Sequence, residues 1–180
     1  MKKLKPIPHL LLRVLTVLLL AACASVPLLD LDVLRTAEIN NLRTPASTVM
    51  SSGQPNEAQL QVMASAGIQH VINLRTPQEE IDFEEQAVVE ALGMEYYSIP
   101  VAGAGGINAA NAQSLEEILG ALDGEPALVH CATGNRVGGL FAVNAFASGS
   151  SIDAAIAEGT RWGMTSERLQ QAVRQNLLDN

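Results

Sequence analysis

Short apolar segments alternate with helix-like segments along most of this chain, and the alternation limits the folds open to it. Residues 70–74 (HVINL), 96–101 (YYSIPV) and 127–130 (ALVH) are short and rich in apolar, β-branched or aromatic residues, as strands are. Six further segments have helical spacing, capping residues or terminal glycines: residues 55–66, 78–92, 112–122, 136–147, 152–158 and 166–178. This order predicts an α/β fold whose mostly parallel central sheet is flanked by helices on both faces. Ligands of such sheets bind beyond the carboxyl ends of the strands.

Individual residues refine this prediction. Ser151 and Thr165 are expected to be helix N-caps, Pro55 is expected in a first helical turn, and Gly67 is expected to end the same helix. Because proline cannot donate a ladder hydrogen bond, Pro100 predicts that the strand at 96–101 lies near an edge of the sheet.

The composition fits one globular domain and argues against polyanionic partners. The chain has 180 residues, of which 48% are hydrophobic and 17% charged, so it can bury a core. All three lysines lie in the first 22 residues, whereas the remaining 158 carry seven arginines against 19 acidic residues, a net charge of −12. Basic residues are what bind nucleic acid, so nucleic acid is not an expected partner.

The N-terminus has the pattern of an export signal. Residues 1–13 are basic, and residues 14–22 form a mostly apolar run that is much shorter than the ~20 residues of a spanning helix. The sequence LAAC at residues 20–23 resembles the bacterial lipobox. That resemblance implies cleavage before Cys23 and a diacylglyceryl group on its sulfur. An uncleaved membrane anchor is the alternative.

We therefore expect a signal peptide at residues 1–22, a tether and approach segment at 23–48, and a folded domain at 49–180. Ala24 and Ser25 resemble the residues that direct lipoproteins to the outer membrane, which implies a lipid-anchored protein on the periplasmic face of the envelope. With Cys23 acylated, Cys131 is the only free thiol, and an unpaired thiol in an exported protein needs a reason.

The segment ALVHCATGNRVGGL at residues 127–140 carries the strongest sign of chemistry. A strand ends at His130 and Cys131, and a short turn leads to Arg136 at the start of a helix. The backbone N–H groups of such a turn and the N-terminus of the helix attract an anion, and Arg136 offers a planar fork to two of its oxygens. The same groups favour a thiolate, so Cys131 is the expected nucleophile.

The turn consists of Ala132, Thr133, Gly134 and Asn135, whose backbone amides are expected to surround the anion. Gly134 permits a backbone angle, or a close approach of the anion, that a side chain would prevent. Asn135 either donates its side-chain amide to the anion or tolerates the turn. The alternative for the whole segment is a buried, inert cysteine before an ordinary strand-to-helix turn.

The sequence HCATGNRVG resembles the signature of cysteine phosphatases, in which five residues separate His-Cys from Arg. More closely, the chain is similar to the bacterial dual-specificity-phosphatase-like group called beta-lactamase-hydrolase-like protein, phosphatase-like domain. Four motifs carry the resemblance: Ser-Gly-Gln-Pro at 52–55, the segment ending in Leu-Arg at 67–75, Ile-Pro-Val at 99–101, and the loop at 130–136. The resemblance covers residues 49–163. It implies a cysteine-phosphatase-like three-layer fold with Cys131 as nucleophile, Arg136 as oxyanion binder, and His130 shaping the loop and the thiolate.

The loop departs from the general signature in three ways. Four residues rather than five separate Cys131 from Arg136, so the loop encloses a smaller anion site. Val137 stands where a Ser or Thr usually helps the cysteine leave the phosphoenzyme. Residues 98–114, where phosphatases of this class carry an aspartic general acid, contain no acidic residue. A general acid contributes roughly 10²–10⁴-fold, so alkyl phosphates are expected to be poor substrates and aryl phosphates better ones.

Three functions remain open from the sequence. The first is a phosphatase that hydrolyses a small phosphate ester through a cysteinyl phosphate. The second is a rhodanese-like sulfurtransferase that forms a persulfide on Cys131, since rhodaneses also have six-residue loops and need no general acid. The third is a catalytically silent module that binds an anion or a partner at the membrane.

The charged residues after the strand at 70–74 have two interpretations. Arg75 contacts substrate or, as we prefer, pairs with Glu79 or Glu80. Glu79, Glu80 and Asp82 either reach the site or, as we prefer, are first-turn helix acids favoured by the helix dipole. Neither a metal nor another cofactor is expected, because no histidine has a partner at metal-ligand spacing and no nucleotide-binding glycine motif is present.

Overall fold

The computed structural model describes residues 29–179, which form four short strands and seven helices. The strands are β1 (Val49–Ser52), β2 (His70–Asn73), β3 (Glu95–Ser98) and β4 (Ala127–His130). The helices are α1 (Leu31–Thr36), α2 (Glu57–Ser65), α3 (Glu85–Ala91), α4 (Ala109–Ala121), α5 (Asn135–Ala147), α6 (Ile152–Arg161) and α7 (Glu167–Leu178). The expected signal peptide, the lipidation site at Cys23 and the start of the expected tether lie outside the described residues.

The four strands form one parallel sheet in the order β1-β4-β2-β3. β2 and β4 lie at its centre and are buried along their whole length. Their carboxyl ends are level, because His130 pairs with both Asn73 and Ser52. The predicted α/β fold with a parallel sheet is confirmed, and β3 lies at an edge as Pro100 indicated.

Helices cover both faces of the sheet and bury one apolar cluster on each. Successive strand residues point to opposite faces, so Ile72 and Val129 join one cluster while Val71 and Leu128 join the other. α4, α5, α6 and α7 complete the first cluster, and α1, α2 and α3 complete the second. These layers form the expected three-layer arrangement. Within residues 29–179 no helix is long and apolar enough to cross a membrane.

The described part of the expected approach segment, residues 29–48, packs onto the domain. Leu34 of α1 and Ile39 after it are buried in the second cluster. Neither α1 nor β1 was predicted. β1 lacks an apolar pattern because two of its four residues are buried serines, of which Ser51 donates its hydroxyl to the Trp162 carbonyl at 2.8 Å.

The predicted helix at 78–92 is wrong in its first half. Residues 78–84 form turns and bends, and α3 begins only at Glu85. The Glu79 carboxylate accepts a hydrogen bond from Thr76 N–H at 2.9 Å and pairs with Arg136 from α5. These contacts hold the segment in turns, so tertiary interactions override the local preference for a helix.

The helix ends show smaller differences from the predictions. Ser151 caps α6 as expected, whereas α7 is capped by Ser166 rather than by Thr165. Pro55 precedes α2 rather than lying in its first turn, because Asn56 is the cap. The strand predicted at 96–101 spans Glu95–Ser98, and beyond it Ile99 N–H and Val101 N–H still donate to the carbonyls of Asn73 and Leu74, at 2.9 and 3.0 Å.

Candidate active site

The carboxyl end of β4 places Cys131 at the base of a tight loop, residues 131–136. The cysteine is 1% exposed, and its Sγ accepts a hydrogen bond from Gly134 N–H at 3.1 Å. Gly134 is the N-cap of α5 and has a φ of 81°, in the left-handed region. The sulfur therefore lies against a helix N-terminus, where partial positive charge favours an anion.

Asn41 holds this loop from a distant part of the chain. Its Nδ2 donates to the carbonyl oxygens of Thr133 and Gly163, both at 2.9 Å. A Cβ added at Gly134 would lie 2.5 Å from that nitrogen, so both the backbone angle and the close packing require glycine. Sequence reasoning missed Asn41, because an asparagine in a segment without periodicity carries no local signal.

The remaining turn residues are braced by their neighbours. Gln54 N–H donates to the Ala132 carbonyl at 3.2 Å. Asn135 donates from Nδ2 to Thr133 Oγ1 at 3.1 Å and accepts at Oδ1 from Ser166 N–H at 2.8 Å. The Asn135 side chain thus supports the turn, which favours that interpretation over donation to the anion.

Arg136, in the first turn of α5, has a fixed guanidinium. Nη1 donates to the carbonyl of Val101 at 2.8 Å and approaches that of Leu74 at 3.5 Å. Nη1 and Nη2 also donate to the two carboxylate oxygens of Glu79, at 2.6 and 2.7 Å. The Glu79 pair raises the pKa of Arg136, burial opposes that rise, and the nearby Cys131 sulfur adds to it.

These contacts use only part of the donor set of Arg136. A guanidinium has five N–H groups. Val101 and Glu79 engage both hydrogens of Nη1 and one of Nη2. The edge formed by Nε–H and the second Nη2 hydrogen is the one that can take two oxygens of an anion. Glu79 therefore orients the guanidinium of Arg136 and does not occupy the edge formed by Nε–H and the second Nη2 hydrogen.

Glu79 is part of the site, and its interpretation as a first-turn helix acid is wrong. The hydrogen bond from Arg136 lowers the pKa of Glu79 to about 2; burial opposes this, and the Thr76 N–H adds to it. Glu79 is therefore ionised at neutral pH. Glu80 and Asp82 lie in the same non-helical segment with exposed side chains, so for them too the helix interpretation is wrong.

Arg75, at the end of the β2 segment, is engaged by protein groups. Nη1 donates to Gln54 Oε1 at 2.8 Å, and Nη2 donates to the Glu80 carbonyl at 2.7 Å. Nε lies 3.5 Å from Glu79 Oε2. The preferred pairing with Glu79 is therefore observed, and one carboxylate serves two arginines.

A second carboxylate, Glu85, is buried next to His130, the residue before the nucleophile. Its Oε1 is 3.2 Å from Nε2 of the fully buried His130 and accepts from Gln54 Nε2 at 2.6 Å. Oε2 accepts from Asn73 Nδ2 at 2.7 Å and from the Tyr96 hydroxyl at 3.4 Å. Burial acts to raise the pKa of Glu85, but His130, and then Gln54 and Tyr96, lower it overall. Sequence reasoning missed Glu85, which looks like any other acid of an amphipathic helix.

An open groove of about 580 Å³ adjoins these residues. Gln54 and Arg75 form one part of its lining, and Ile81, Asp82 and Phe83 are among the others. The groove thus borders Gln54 and Arg75, which brace the site, and its lining includes the aliphatic and aromatic side chains of Ile81 and Phe83. Among residues 29–179 no group of three histidine, cysteine, aspartate or glutamate side chains is placed to hold a metal ion.

A parallel sheet with a cysteine beyond a central strand and an arginine in the next helix defines a phosphatase-like α/β domain. The chain belongs to the family described as beta-lactamase hydrolase-like protein, phosphatase-like domain, whose sequence model matches residues 41–148. The resemblance drawn from the motifs is therefore confirmed.

Individual relatives agree with this family. The beta-lactamase hydrolase-like protein of Xylella fastidiosa (strain Temecula1) is 34% identical over 97 residues, which are 52% of this chain and 22% of that protein. The chain thus spans about a fifth of the length of that relative.

Solved structures share the fold at low sequence identity. A Neisseria meningitidis protein with a provisional phosphatase assignment superposes with a TM-score of 0.62 at 22% identity, covering 76% of this chain and 98% of its own. The core catalytic domain of the PP-IP phosphatase Siw14 from S. cerevisiae gives 0.57 at 17% identity, covering 75% and 84%. These likenesses show a common fold.

Proposed function

We propose that this protein is a cysteine-dependent phosphatase that hydrolyses phosphate monoesters through a cysteinyl phosphate on Cys131. The observation that carries the proposal is the 3.1 Å hydrogen bond from Gly134 N–H to Cys131 Sγ, at the N-terminus of α5 and beside the fixed fork of Arg136. Donors aimed at a sulfur stabilise its thiolate, and the same donors suit the oxygens of a phosphate. Membership in a phosphatase-like family supports the proposal.

The reaction has two displacement steps. First, the Cys131 thiolate attacks phosphorus, an S–P bond forms, and the bond to the leaving oxygen breaks. Backbone N–H groups of residues 132–136 and the free edge of Arg136 hold the other oxygens; one such donor is worth roughly 10²–10³-fold. The leaving oxygen departs as an anion and takes a proton from water. Second, water attacks phosphorus, the S–P bond breaks, and orthophosphate and a proton leave while the thiolate returns.

The acids near the site determine which leaving groups are tolerated. Residues 98–114 contain none, and Glu79 has a pKa of about 2 because Arg136 holds it. A carboxylate that is ionised at neutral pH donates no proton, so the roughly 10²–10⁴-fold contribution of a general acid is missing. We infer that aryl phosphates, whose phenolates leave unaided, are hydrolysed far faster than alkyl phosphates.

The groove beside the site suits an uncharged leaving group. Its Ile81 and Phe83 offer apolar contact, whereas Glu80 and Asp82 add negative charge to its lining. That charge repels polyanionic esters, in keeping with the net charge of −12 outside the first 22 residues.

The test is hydrolysis of an aryl phosphate by the purified full chain, compared with Cys131→Ser and, as a matched control, Cys23→Ser. The proposal expects turnover that is lost in the first variant and kept in the second. An alkyl phosphate measured in parallel is expected to react far more slowly. Equal turnover by the wild type and Cys131→Ser would show that the loop does not carry the reaction.

A sulfurtransferase is the second candidate, favoured by the short spacing from Cys131 to Arg136 and by the ionised Glu79. In that reaction the thiolate attacks the outer sulfur of thiosulfate, a new S–S bond forms, and sulfite leaves as the old one breaks. A mass gain of about 32 Da on Cys131 after thiosulfate treatment, without phosphatase turnover, would select it. If neither activity is found and Cys131→Ser still binds phosphate, the domain is a silent anion-binding module.

We also propose that the domain works at the periplasmic face of the envelope, anchored by a lipid on Cys23 and directed to the outer membrane. The support is the sequence LAAC at residues 20–23, followed by Ala24 and Ser25. Membrane fractionation tests this: the wild type is expected with the membranes, and Cys23→Ser in the soluble fraction. Equal membrane association of both would contradict the lipid anchor.

A further inference from the structure

We propose that Glu85 is a positioning residue for the nucleophile, since its buried carboxylate contacts His130 and one residue from each of the other three strand segments and thereby sets the reactivity of the Cys131 sulfur. This inference rests on the proposed role of Cys131 as a nucleophile. It concerns a residue that does not touch the substrate and acts through its neighbours.

The carboxylate gathers one residue from each strand segment. Asn73 is the last residue of β2, His130 is the last of β4, Tyr96 lies in β3, and Gln54 follows β1. Glu85 itself is the first residue of α3 and is only 3% exposed. One side chain therefore connects all four strand segments, and two of its partners, Asn73 and His130, are the last residues of the two central strands.

The partners of Glu85 require a charged acceptor and not merely a side chain of its size. Gln54 and Asn73 present amide NH₂ groups at 2.6 and 2.7 Å, and Tyr96 presents its hydroxyl at 3.4 Å. A carboxylate only accepts hydrogen bonds, so it satisfies all of them. A glutamine in its place would turn its own NH₂ toward one of these donors and leave an unmatched group in a buried site.

His130 depends on this carboxylate. The imidazole is fully buried, and neither of its ring nitrogens has an aligned hydrogen bond among the described residues. Nε2 lies 3.2 Å from Glu85 Oε1, although out of alignment for a hydrogen bond, so this carboxylate is a polar group set directly against the ring. A buried polar ring needs such compensation. Because His130 directly precedes Cys131 in the chain, the position of the ring also determines that of the sulfur.

The other charged or titratable groups around this cluster lie on neighbouring elements. The Tyr96 phenol faces Glu85 from β3, and Arg75 influences that phenol from the end of β2. Arg136 faces Cys131 from α5 and is matched by Glu79 on the solvent side. Both arginines form ion pairs with Glu79, whereas His130 contacts Glu85.

The experiment compares Glu85→Gln, Glu85→Asp and Glu84→Gln in the full chain. Glu84 is a matched control, because it is the exposed neighbour of Glu85 and makes no side-chain capping hydrogen bond. The first readout is the rate at which iodoacetamide alkylates Cys131 between about pH 6 and 9, followed on the Cys131 peptide by mass spectrometry. The second is kcat and KM for an aryl phosphate. Circular dichroism establishes that each variant is folded.

We expect Glu85→Gln to slow alkylation at pH 7 roughly tenfold and to lower kcat more than it raises KM, because a displaced Cys131 sulfur loses the Gly134 N–H donor that favours its thiolate. Glu85→Asp, which keeps the charge, is expected to recover part of both losses, and Glu84→Gln is expected to match the wild type. Unchanged or faster alkylation in folded Glu85→Gln would overturn the inference, as would an aspartate variant no better than glutamine.

Two further outcomes are also decisive. If Glu85→Gln does not fold, His130→Asn replaces it, and the same slowing of alkylation is expected; wild-type reactivity there would overturn the inference. If the wild type shows no Cys131-dependent hydrolysis, the proposed function fails, but the alkylation rates still decide the role of Glu85.

Discussion

Two carboxylates flank the Cys131 loop, and they differ in what they hold and in how much water reaches them. The outer pair joins Glu79 to Arg136 at 2.6 Å, with 28% of the Glu79 side chain exposed. The inner pair joins Glu85 to His130 at 3.2 Å, with 2% of the Glu85 side chain exposed. The outer pair orients the group proposed to bind substrate oxygens, and the inner pair holds the strand end that carries the nucleophile.

Solvent exposure leads to different expectations for the two pairs. Charged contacts that water reaches are screened and contribute about 1 kcal/mol at full exposure, whereas each buried donor left without its acceptor costs roughly 1–3 kcal/mol. Changes in the outer pair are therefore expected to alter activity with little loss of stability. Changes in the inner pair are expected to alter both.

The largest effect is expected from Arg136→Lys in the outer pair. Lysine keeps the positive charge but not the planar fork that meets Glu79 on one edge and an anion on the other. We expect kcat/KM for an aryl phosphate to fall by roughly 10²–10³-fold while the protein stays folded. Arg35→Lys is the control, since Arg35 is an exposed arginine paired with Asp32. A loss of only a few-fold would mean that charge alone suffices.

A smaller effect is expected from Glu79→Gln, which keeps the shape of the side chain and removes its charge. Arg136 then loses the partner that orients it, and we expect kcat/KM to fall about tenfold, mainly through KM. The free energy of unfolding is expected to fall by about 1 to 3 kcal/mol, because the lowered pKa of Glu79 sets the upper figure and screening by water reduces it. Glu116→Gln is the control, because Glu116 is an exposed acid on α4 and does not line the groove. A loss of stability as large as that of Glu85→Gln would break the distinction between the pairs.

The outer pair is also expected to make the stability of the protein depend on pH in the acid range. The pKa of Glu79 in the folded state, about 2, lies below its unfolded value near 4.3, so the ionised form favours folding. That contribution is present above the unfolded pKa and is lost as the pH falls from there through about 2. In urea unfolding at a series of pH values, the free energy of unfolding is expected to fall less steeply with decreasing pH for Glu79→Gln than for the wild type. Equal slopes of this free energy against pH in the two proteins would show that Arg136 does not stabilise the ionised Glu79 carboxylate.

The sequence predicted those parts of the fold that follow a local pattern. β4 was predicted with its observed bounds, and the helix after the loop was placed within one residue, because an apolar run and a glycine-containing turn mark them. β1 was missed, because two of its four residues are buried serines and leave no apolar period; Ser51 donates its hydroxyl to the Trp162 carbonyl, 111 positions away.

The same limit applies to the site: its local pattern was predictable from the sequence, and its long-range contacts were not. Cys131 and Arg136 lie five positions apart, so their pattern is visible in the sequence. The pairing of Arg136 with Glu79 spans 57 positions, and the hydrogen bond from Asn41 to Thr133 spans 92. Contacts between residues so far apart have no period or spacing, and folding alone brings them together. The helix predicted over Glu79 failed for this reason.

The smallest expected effect concerns Gln54, which connects the outer and inner pairs. Its Nε2 donates to Glu85 at 2.6 Å, and its Oε1 accepts at 2.8 Å from Arg75, whose Nε lies 3.5 Å from Glu79. Since the contacts are continuous, the effects of Glu79→Gln and Glu85→Gln on the free energy of unfolding should not add. We expect a coupling energy on the order of 0.5 kcal/mol in a double-mutant cycle, and its loss when Gln54→Leu removes the connection. Coupling that persists in the Gln54→Leu variant would mean that the effects of Glu79 and Glu85 on each other pass through the Cys131 loop itself. Strict additivity in the wild type would mean that orientation of the arginine and placement of the cysteine are independent.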